Sequence, residues 1–356
     1  MDDNDLIPTP SGHPRRWDAT IGTGSAADLI REALEFEARG IDTCWASQLH
    51  HTPFAPLAAV AGATERIQLG SAIALAFTRS PMETALTTLD MDRLSDGRFK
   101  LGLGAGVKRL NEQWHSVSDF GRPAPHLKET VELVRLLIEQ GAQGEPVRYR
   151  GRYHQVELAG WQPRYEPVRT SIPIYVAGVG EAMARVAGDV ADGLLGHRVW
   201  SLPWLRDMIA PNVALGLARS GRERSDFDLA LTVPVCVVGG AISVDQARRD
   251  AASGVAFYAS MQGYRQIFER HGFAAQADAA REAYQSGGWG EAVIDAVDGD
   301  MLDEFCVTGS LDDCAAQLER YWAHADSIRL EPGGHQLPVE REQAYREALG
   351  TLIGER

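Results

Sequence analysis

Short apolar segments rich in β-branched residues alternate with segments of helical periodicity along most of the 356-residue chain. This alternation is typical of parallel βαβ units, in which a helix follows each strand and returns the chain to the same edge of the sheet. Eight strands are predicted, at residues 17–21, 43–46, 66–76, 97–104, 172–180, 192–196, 228–240 and 326–334. Eight such units fit a closed (β/α)8 TIM barrel better than an open sheet of five or six strands.

The helical segments carry recognisable start and stop signals. Pro81 is expected in the first turn of a helix, where a missing N–H group costs nothing. Ser243 and Ser310 are expected to cap the amino ends of two later helices. Gly40 is expected to cap the carboxyl end of the first helix. Pro211 should bend or break the helix after the sixth strand, because proline removes a backbone donor.

Two stretches interrupt the alternation. Residues 140–171 contain several aromatic residues and prolines, which predict an ordered insertion, and residues 261–309 predict a second, irregular insertion. The first 14 residues are acidic and contain proline and glycine, so we expect a flexible arm followed by a single domain over 15–356. The start of the chain lacks the basic and apolar regions of a secretory signal.

Composition excludes several classes of function. The chain has 35 lysines and arginines against 49 aspartates and glutamates, a formal net charge of −14. That balance argues against a nucleic-acid partner, which needs a basic face, and no apolar run approaches the roughly 20 residues of a membrane helix. The cysteines show no CxxC pair, so no metal site or disulfide framework is expected, and free thiols predict a cytoplasmic location. They are Cys44, Cys236, Cys306 and Cys314.

In a barrel of this kind, the residues that follow the strands form the active site. His50 and His51 follow the second strand, and histidine titrates near neutral pH, so either is a candidate proton donor or acceptor. The alternative is that both are surface or packing histidines. The third strand contains Ser71, Ala72 and Ile73, whose small size would let a planar ring approach the backbone. Equally, small residues there would fill a tapered barrel interior.

The sequence FKLGLGAGVKR, residues 99–109, looks like a phosphate-binding loop. It reads GxGxG, whereas the dinucleotide fingerprint reads GxGxxG within a compact βαβ unit. We therefore interpret it as the end of the fourth strand and the loop beyond. The candidate cofactor contacts in this loop are Gly104, Ala105, Gly106, Val107 and Lys108.

The segment Gly178-Val179-Gly180 follows the fifth strand, and Glu181 opens a helix. Free N–H groups at the amino end of a helix, with glycines that permit close approach, form an anion site suited to phosphate. The alternative is that the glycines only ease a tight turn. After the sixth strand, His197 and Arg198 would add a donor and a charge near the same opening.

Aromatic residues near these strand ends are candidates for the wall of the substrate site. The alternative, that they are core residues, stays open at this point. They are Trp45, Phe77, Trp114 and Trp200.

Three segments together resemble the luciferase-like monooxygenase superfamily and, within it, the oxidoreductases that use the deazaflavin coenzyme F420. They read RIQLGSAIALAFTRSPMETALTTLDMDRLSDGRFKLGLGAGVK, PIYVAGVGEAMARVAGDVADGL and DMLDEFCVTGSLDDCAAQLERYWAHADSI. The resemblance covers nearly the whole chain, from about residue 16 to residue 335. It implies a TIM barrel with a flavin or deazaflavin ring in its mouth.

The resemblance also implies roles for single residues. The ring would lie against Ser71–Ile73, where the family often has a non-proline cis peptide. The loop Gly104–Lys108 would line the ribityl chain, and Gly178–Gly180 would bind the phosphate. His50 or His51 would match the family's histidine beside the reacting ring atom. The family often has a glutamate before these histidines and an acidic residue after them. This chain reads Gln48-Leu49-His50-His51-Thr52, with no glutamate before the histidines and Thr52 where the acid often follows.

The implied activity is hydride transfer to or from a small organic substrate, with a loop histidine donating or accepting a proton. The cofactor's anionic tail would need a local basic rim. The insertions would set the substrate, and a homodimer is the expected assembly. The candidates for the basic rim are Lys108, Arg109, Arg79 and Arg198.

Two other functions fit the same residues. The first is an FMNH2-dependent monooxygenase that activates oxygen on the same barrel. The second is a barrel that has lost catalysis and serves as a cofactor-binding or partner subunit, since no acidic residue adjoins His51.

Overall fold

The structure of this protein is a computed structural model that describes residues 14–354. The predicted arm over residues 1–14 therefore lies outside the described residues, apart from its last residue. Twelve strands occur within the described range. They are β1 Arg16–Thr20, β2 Thr43–Ala46, β3 Gln68–Ser71, β4 Ala74–Leu75, β5 Phe99–Gly104, β6 Val147–Arg150, β7 Gln155–Leu158, β8 Ile174–Ala177, β9 Gly193–Leu195, β10 Asp228–Val237, β11 Val307–Gly309 and β12 Ser327–Pro332.

Helices fill most of the intervals between these strands. They are α1 Ala26–Ala38, α2 Phe54–Ala61, α3 Pro81–Leu94, α4 Lys108–Trp114, α5 Pro123–Glu139, α6 Glu181–Val190, α7 Leu202–Trp204, α8 Ala210–Ser220, α9 Val244–Ala259, α10 Arg265–Arg270, α11 Ala274–Gly287, α12 Glu291–Ile294, α13 Gly299–Phe305, α14 Leu311–Trp322 and α15 Val339–Gly354. Short 3-10 turns cover Gly141–Gln143, Arg224–Asp226 and Gln262–Tyr264, and a π-helical turn covers Leu205–Ile209.

Eight strands form a closed barrel. Their order is β10, β12, β1, β2, β3, β5, β8 and β9, and β9 also pairs with β10. The registers from β1 through β2, β3, β5 and β8 to β9 are parallel throughout. The short strands β4 and β11 pair with β5 and β10 outside this ring. The predicted (β/α)8 barrel is confirmed.

The barrel strands are buried on both faces. Every residue of β2 and of β5 is buried, as expected for parallel strands covered by helices on one side and by the barrel interior on the other. The chain forms two compact units. One contains the residues up to 196 together with 208–230, and the other contains 197–207 and the residues from 231 onwards.

Most of the predicted helix signals are confirmed. Pro81 lies in the first turn of α3, and the hydroxyl groups of Ser243 and Ser310 accept the capping N–H groups of α9 and α14. Gly40 is not the cap residue itself. Arg39 caps α1, and Gly40 follows it with a φ of 75°, a left-handed conformation that suits glycine.

The helical segment after β9 is interrupted before Pro211, the residue at which the sequence predicts a bend or break. The π-helical turn Leu205–Ile209 separates α7 from α8, and Pro211 lies in the first turn of α8. A proline in the first helical turn has no partner to lose, so Pro211 begins a helix here and does not break one.

The two insertions differ in kind. Residues 140–171 form an ordered segment built around the antiparallel hairpin of β6 and β7, as predicted. The prediction of an irregular insertion over 261–309 is wrong, because α10, α11, α12 and α13 occupy most of it. Helices α10, α12 and α13 have only four to seven residues, too few to show a helical period, and the longer α11 is rich in alanine, which leaves only a weak apolar stripe.

Candidate active site

The end of β3 is bonded tightly to β5. The hydroxyl group of Ser71 donates to the carbonyl oxygen of Gly102 at 2.9 Å and accepts from the N–H of Gly102 at the same distance. The peptide bond between Ala72 and Ile73 is cis, as the resemblance implied, and the side chains of both residues are only partly buried. The carbonyl oxygen of Ile73 accepts from the N–H of Gln48 at 3.1 Å.

Glycine in β5 permits close packing. A side chain at Gly102 would collide with the carbonyl oxygen of Ser71, and one at Gly104 would collide with the side chain of Ile73. Gly106 has a φ of 63°, which starts the turn toward α4. The glycines at 102 and 104 therefore serve the packing of the strand, and the exposed part of the loop begins at Gly106.

Asn111 anchors this loop and was not predicted. It is fully buried, and its amide nitrogen donates to the carbonyl oxygens of Ala105 at 2.8 Å and Val107 at 3.0 Å. Its side-chain oxygen has no hydrogen-bond partner among residues 14–354. A ligand hydroxyl group is one kind of donor that would satisfy it. Lys108 is exposed and lies 3.6 Å from the carboxylate of Glu112.

His50 and His51 are exposed on the loop between β2 and α2. The ring of His50 lies 6.3 Å from that of Trp114, and within the described part of the chain neither histidine has a hydrogen-bond partner. Both imidazoles are therefore accessible to a molecule that approaches this loop.

Gln48 holds the same loop in place, a role that the sequence alone did not suggest. Its side-chain oxygen accepts from the N–H of Leu75 at 3.0 Å and from the guanidinium group of Arg79 at 2.9 Å. A neutral amide there leaves Arg79 without a carboxylate partner in this contact. Gln48 therefore connects the loop after β2 to β4 and the loop that follows it.

The turn after β8 is open at Gly180. Gly180 precedes the first residue of α6, and no side chain caps this helix end. Apart from Gly180 itself and its two chain neighbours, no described residue has an atom within 4 Å of the position that a β-carbon at Gly180 would occupy. A side chain at Gly178 would instead collide with Met183. An uncapped helix end beside an open space has the features of an anion site.

The predicted aromatic wall does not form one cluster. Trp45 is 1% exposed, and its indole N–H donates to Asp18 at 2.9 Å inside the first unit. Trp114 is 60% exposed at the end of α4. Phe77 is partly buried and stacks on His126, with the ring centroids 3.9 Å apart. Of these three, Phe77 and Trp114 have surface that a ligand can reach.

His197, Arg198 and Trp200 lie in the second unit. Trp200 is buried. The guanidinium group of Arg198 donates to the carbonyl oxygens of Pro332 at 2.9 Å and Gly333 at 3.0 Å, and it lies 3.5 Å from the carboxylate of Glu331. These contacts use much of the hydrogen-bond donor capacity of the Arg198 guanidinium group. Arg198 is therefore less suited than an unpaired cation to bind an anionic tail.

The imidazole of His197 is oriented by two hydrogen bonds. Its Nδ1 accepts from the N–H of Val199 at 3.2 Å, which leaves the proton on Nε2, 3.3 Å from the hydroxyl oxygen of Tyr264. Burial, together with the charge of Arg198, lowers the pKa of His197 to about 4. This ring is therefore neutral near pH 7 and serves as a hydrogen-bonding group.

Charged groups are also buried within the first unit. The ammonium group of Lys100 lies 3.2 Å from the carboxylate of Asp42 and donates to Thr43 at 2.9 Å. Burial raises the pKa of Asp18 to about 6, against the opposing effects of Lys100 and of the hydrogen bond from Trp45. This network occupies space that an apolar core would otherwise fill.

Over residues 14–354, no three histidine, cysteine, aspartate or glutamate side chains come together in a way that would hold a metal ion. In the same range, no helix combines the length and the apolar character needed to cross a membrane.

Comparison with known proteins agrees with the fold and with the resemblance. An uncharacterised protein of Mycobacterium tuberculosis is 34% identical over 289 residues, which cover 80% of this chain and 84% of that protein. The 5,10-methylenetetrahydromethanopterin reductase of Archaeoglobus fulgidus is 30% identical over 298 residues, which cover 79% of this chain and 82% of that enzyme.

The structure of the coenzyme F420-dependent tetrahydromethanopterin reductase of Methanopyrus kandleri matches with a TM-score of 0.76 at 23% identity. That match covers 96% of this chain and 97% of the other and supports the barrel fold. The profile of the luciferase-like monooxygenase family matches residues 11–325. Because this match spans most of the chain, and the barrel and its cis peptide agree with it, the chain belongs to the luciferase-like monooxygenase family.

Proposed function

We propose that this protein is an F420-dependent oxidoreductase that transfers hydride to or from a small organic substrate. The observation that carries the proposal is the open, uncapped amino end of α6 at Gly180, which suits a cofactor phosphate. The relatives named for methylenetetrahydromethanopterin reduction and for F420 support the choice of a deazaflavin.

The residues present fit such a cofactor. The cis segment Ala72-Ile73 offers a partly exposed surface of small and branched side chains for a planar ring. The loop from Gly104 to Lys108 would border the ribityl chain, and the buried oxygen of Asn111 is an acceptor for one of its hydroxyl groups. Lys108 and Arg109, both exposed, would face the anionic tail.

A bound deazaflavin would supply or accept the hydride, so the residues of this chain must bind and orient the cofactor and substrate and move a proton. His51, or His50 beside it, would donate a proton when the substrate is reduced and accept one when it is oxidised. Gln48 would hold their loop through its bonds to Leu75 and Arg79. Correct placement of the reacting atoms can supply several kcal/mol of the barrier.

The direct test is a fluorescence titration of the purified protein with F420 and, separately, with FMN. We expect saturable binding of F420 and weaker binding of FMN. Tight FMN binding without affinity for F420 would contradict the proposal and favour the FMNH2-dependent monooxygenase, the activity after which the family is named. Failure to bind either cofactor would favour a barrel that has lost catalysis.

A further inference from the structure

Phe77 belongs to the same mouth of the barrel as the histidine loop. It lies in the loop after β4, two residues from Leu75 and two from Arg79, and both of these bond to the side chain of Gln48. Gln48 in turn lies two residues before His50. The loop that carries Phe77 is therefore tied to the loop that carries the candidate proton donors.

The ring of Phe77 is the end of a stack of three rings. Phe77 and His126 stack with their centroids 3.9 Å apart and their planes within 9°, and His126 and Tyr153 stack at 4.2 Å and 8°. Two rings cannot occupy the same face of an imidazole at such distances. Phe77 and Tyr153 therefore lie on opposite faces of His126.

Tyr153 is held firmly in the turn between β6 and β7. The carboxylate of Glu129 on α5 accepts the N–H groups of Arg152 at 3.0 Å and Tyr153 at 2.7 Å. The hydroxyl oxygen of Tyr153 accepts from the N–H of Arg122 at 3.1 Å. A side chain at Gly121, where φ is 57°, would collide with the Tyr153 ring.

His126 is held from the other side. Its Nδ1 donates to the carbonyl oxygen of Phe120 at 3.2 Å, and burial lowers its pKa, so the ring is neutral in the stack. Phe120 also packs against Phe77, with the ring planes nearly perpendicular and the centroids 5.4 Å apart. The Phe77 ring thus packs against both His126 and Phe120 but stays partly exposed, and the exposed part is the surface that a ligand can meet.

We propose that Tyr153 and His126 are positioning residues that fix Phe77 as a wall of the substrate site, so that the hairpin of β6 and β7 controls substrate selection. This inference rests on the proposed function. Stacked rings restrict each other's rotation, so loss of the outer ring frees His126 and, through it, Phe77. Substrate binding should weaken while the hydride-transfer step and cofactor binding change little.

The test compares Tyr153→Ala with Tyr153→Phe, which keeps the stacking ring and removes only the hydroxyl group. The probe reaction is reduction of cyclohexenone by reduced F420, in which the carbon–carbon double bond gains a hydride and a proton and the deazaflavin is oxidised. We expect Tyr153→Ala to raise KM roughly fivefold to tenfold, with kcat and the F420 Kd within about twofold. Tyr153→Phe should retain the native KM.

Tyr165→Ala is the matched control, because Tyr165 lies in the same insertion but bonds to Asp90, away from the stack. It should leave KM unchanged. An unchanged KM in Tyr153→Ala, or an equal rise in Tyr153→Phe, would overturn the proposal.

A second readout does not depend on turnover. The ring protons of His126, lying between two aromatic faces, should have strongly shifted NMR resonances that Tyr153→Ala abolishes and Tyr153→Phe preserves. Absence of that shift in the native protein would overturn the stack itself.

If the native protein binds no F420, the proposed function fails. The Kd for cyclohexenone from the same resonances then replaces KM, and a Kd unaffected by Tyr153→Ala overturns the positioning role.

Discussion

Single residues explain why FKLGLGAGVKR looks like a phosphate-binding loop. Gly102 and Gly104 lie within β5, where the carbonyl oxygen of Ser71 and the side chain of Ile73 leave no room for a β-carbon. Gly106 provides a left-handed turn residue. The groups that exclude a β-carbon belong to Ser71 and Ile73, at the end of β3 and just after it, and not to the segment that carries the glycines. The spacing of the glycines alone therefore could not distinguish packing from phosphate binding.

His51 provides the first test at this scale. In His51→Ala we expect kcat to fall by roughly two orders of magnitude, the usual contribution of a proton donor, while the F420 Kd changes less than threefold. The measurement is steady-state turnover of reduced F420 together with fluorescence titration. His50→Ala is measured in the same way, and the variant with the larger fall in kcat identifies which of the two histidines is the proton donor. Equal turnover in His51→Ala and the native protein would remove the catalytic role of His51.

Asp18 provides the second test. Its folded-state pKa of about 6 lies above the usual value of 3.8, because burial disfavours the charged form. The folded state therefore binds the proton more tightly than the unfolded state. Its contribution to the free energy of unfolding is full below pH 4 and is lost as pH rises through 6, a loss of about 3 kcal/mol.

Asp18→Asn should remove this dependence, because the amide does not titrate and still accepts from Trp45. Urea unfolding at pH 4 and pH 7 should show a smaller loss of stability in the variant than in the native protein. Asp28→Asn, on the exposed amino end of α1, should keep the native slope between pH 5 and pH 7. If the free energy of unfolding of Asp18→Asn falls with pH as steeply as that of the native protein, Asp18 is not the group responsible.

At the scale of elements, local sequence signals predicted where several helices begin, but they did not predict every helix. Ser243 and Ser310 cap their helices because each hydroxyl group accepts from the N–H group three residues ahead, a contact within one turn. The helices over 261–309 were missed because α10, α12 and α13 are too short to show a helical period and α11 is rich in alanine, which leaves little apolar periodicity to detect. The interaction of β6 and β7 with α5 depends on Glu129, which no local pattern could indicate.

The amino end of α6 gives a prediction for an element. Gly180→Val places a side chain in the open space where the phosphate is proposed, so the F420 Kd should rise at least tenfold. Fluorescence titration measures it, and urea unfolding should show little loss of stability. Gly178→Val is unsuitable, because its side chain would collide with Met183 and disturb the turn itself.

Gly62→Val is the matched control for Gly180→Val. It also enters open space, at the carboxyl end of α2, where no ligand is proposed. Its affinity for F420 should equal that of the native protein. If Gly180→Val binds F420 as tightly as Gly62→Val, the phosphate lies elsewhere.

At the scale of the whole molecule, the expected assembly is a homodimer. Sedimentation equilibrium of the purified protein should give twice the chain mass over a range of concentrations. The comparison should be repeated at high salt, because the net charge of −14 makes weak association sensitive to ionic strength. A single-chain mass at all concentrations and salt levels would contradict the dimer.

The sequence by itself determined the class of fold. Eight alternations of strand and helix patterns are local signals, and βαβ connections admit only a few topologies. It also indicated the family, because the segments 66–108 and 173–194 resemble it, and the family profile matches residues 11–325. Which side chains meet was decided only by the tertiary structure. Phe77, His126 and Tyr153 are far apart in the chain, yet their rings stack. Trp45, a candidate for the substrate wall, is buried in the core, where its indole N–H donates to Asp18. Ring stacking and burial depend on distances in space, which residue spacing along the chain does not encode.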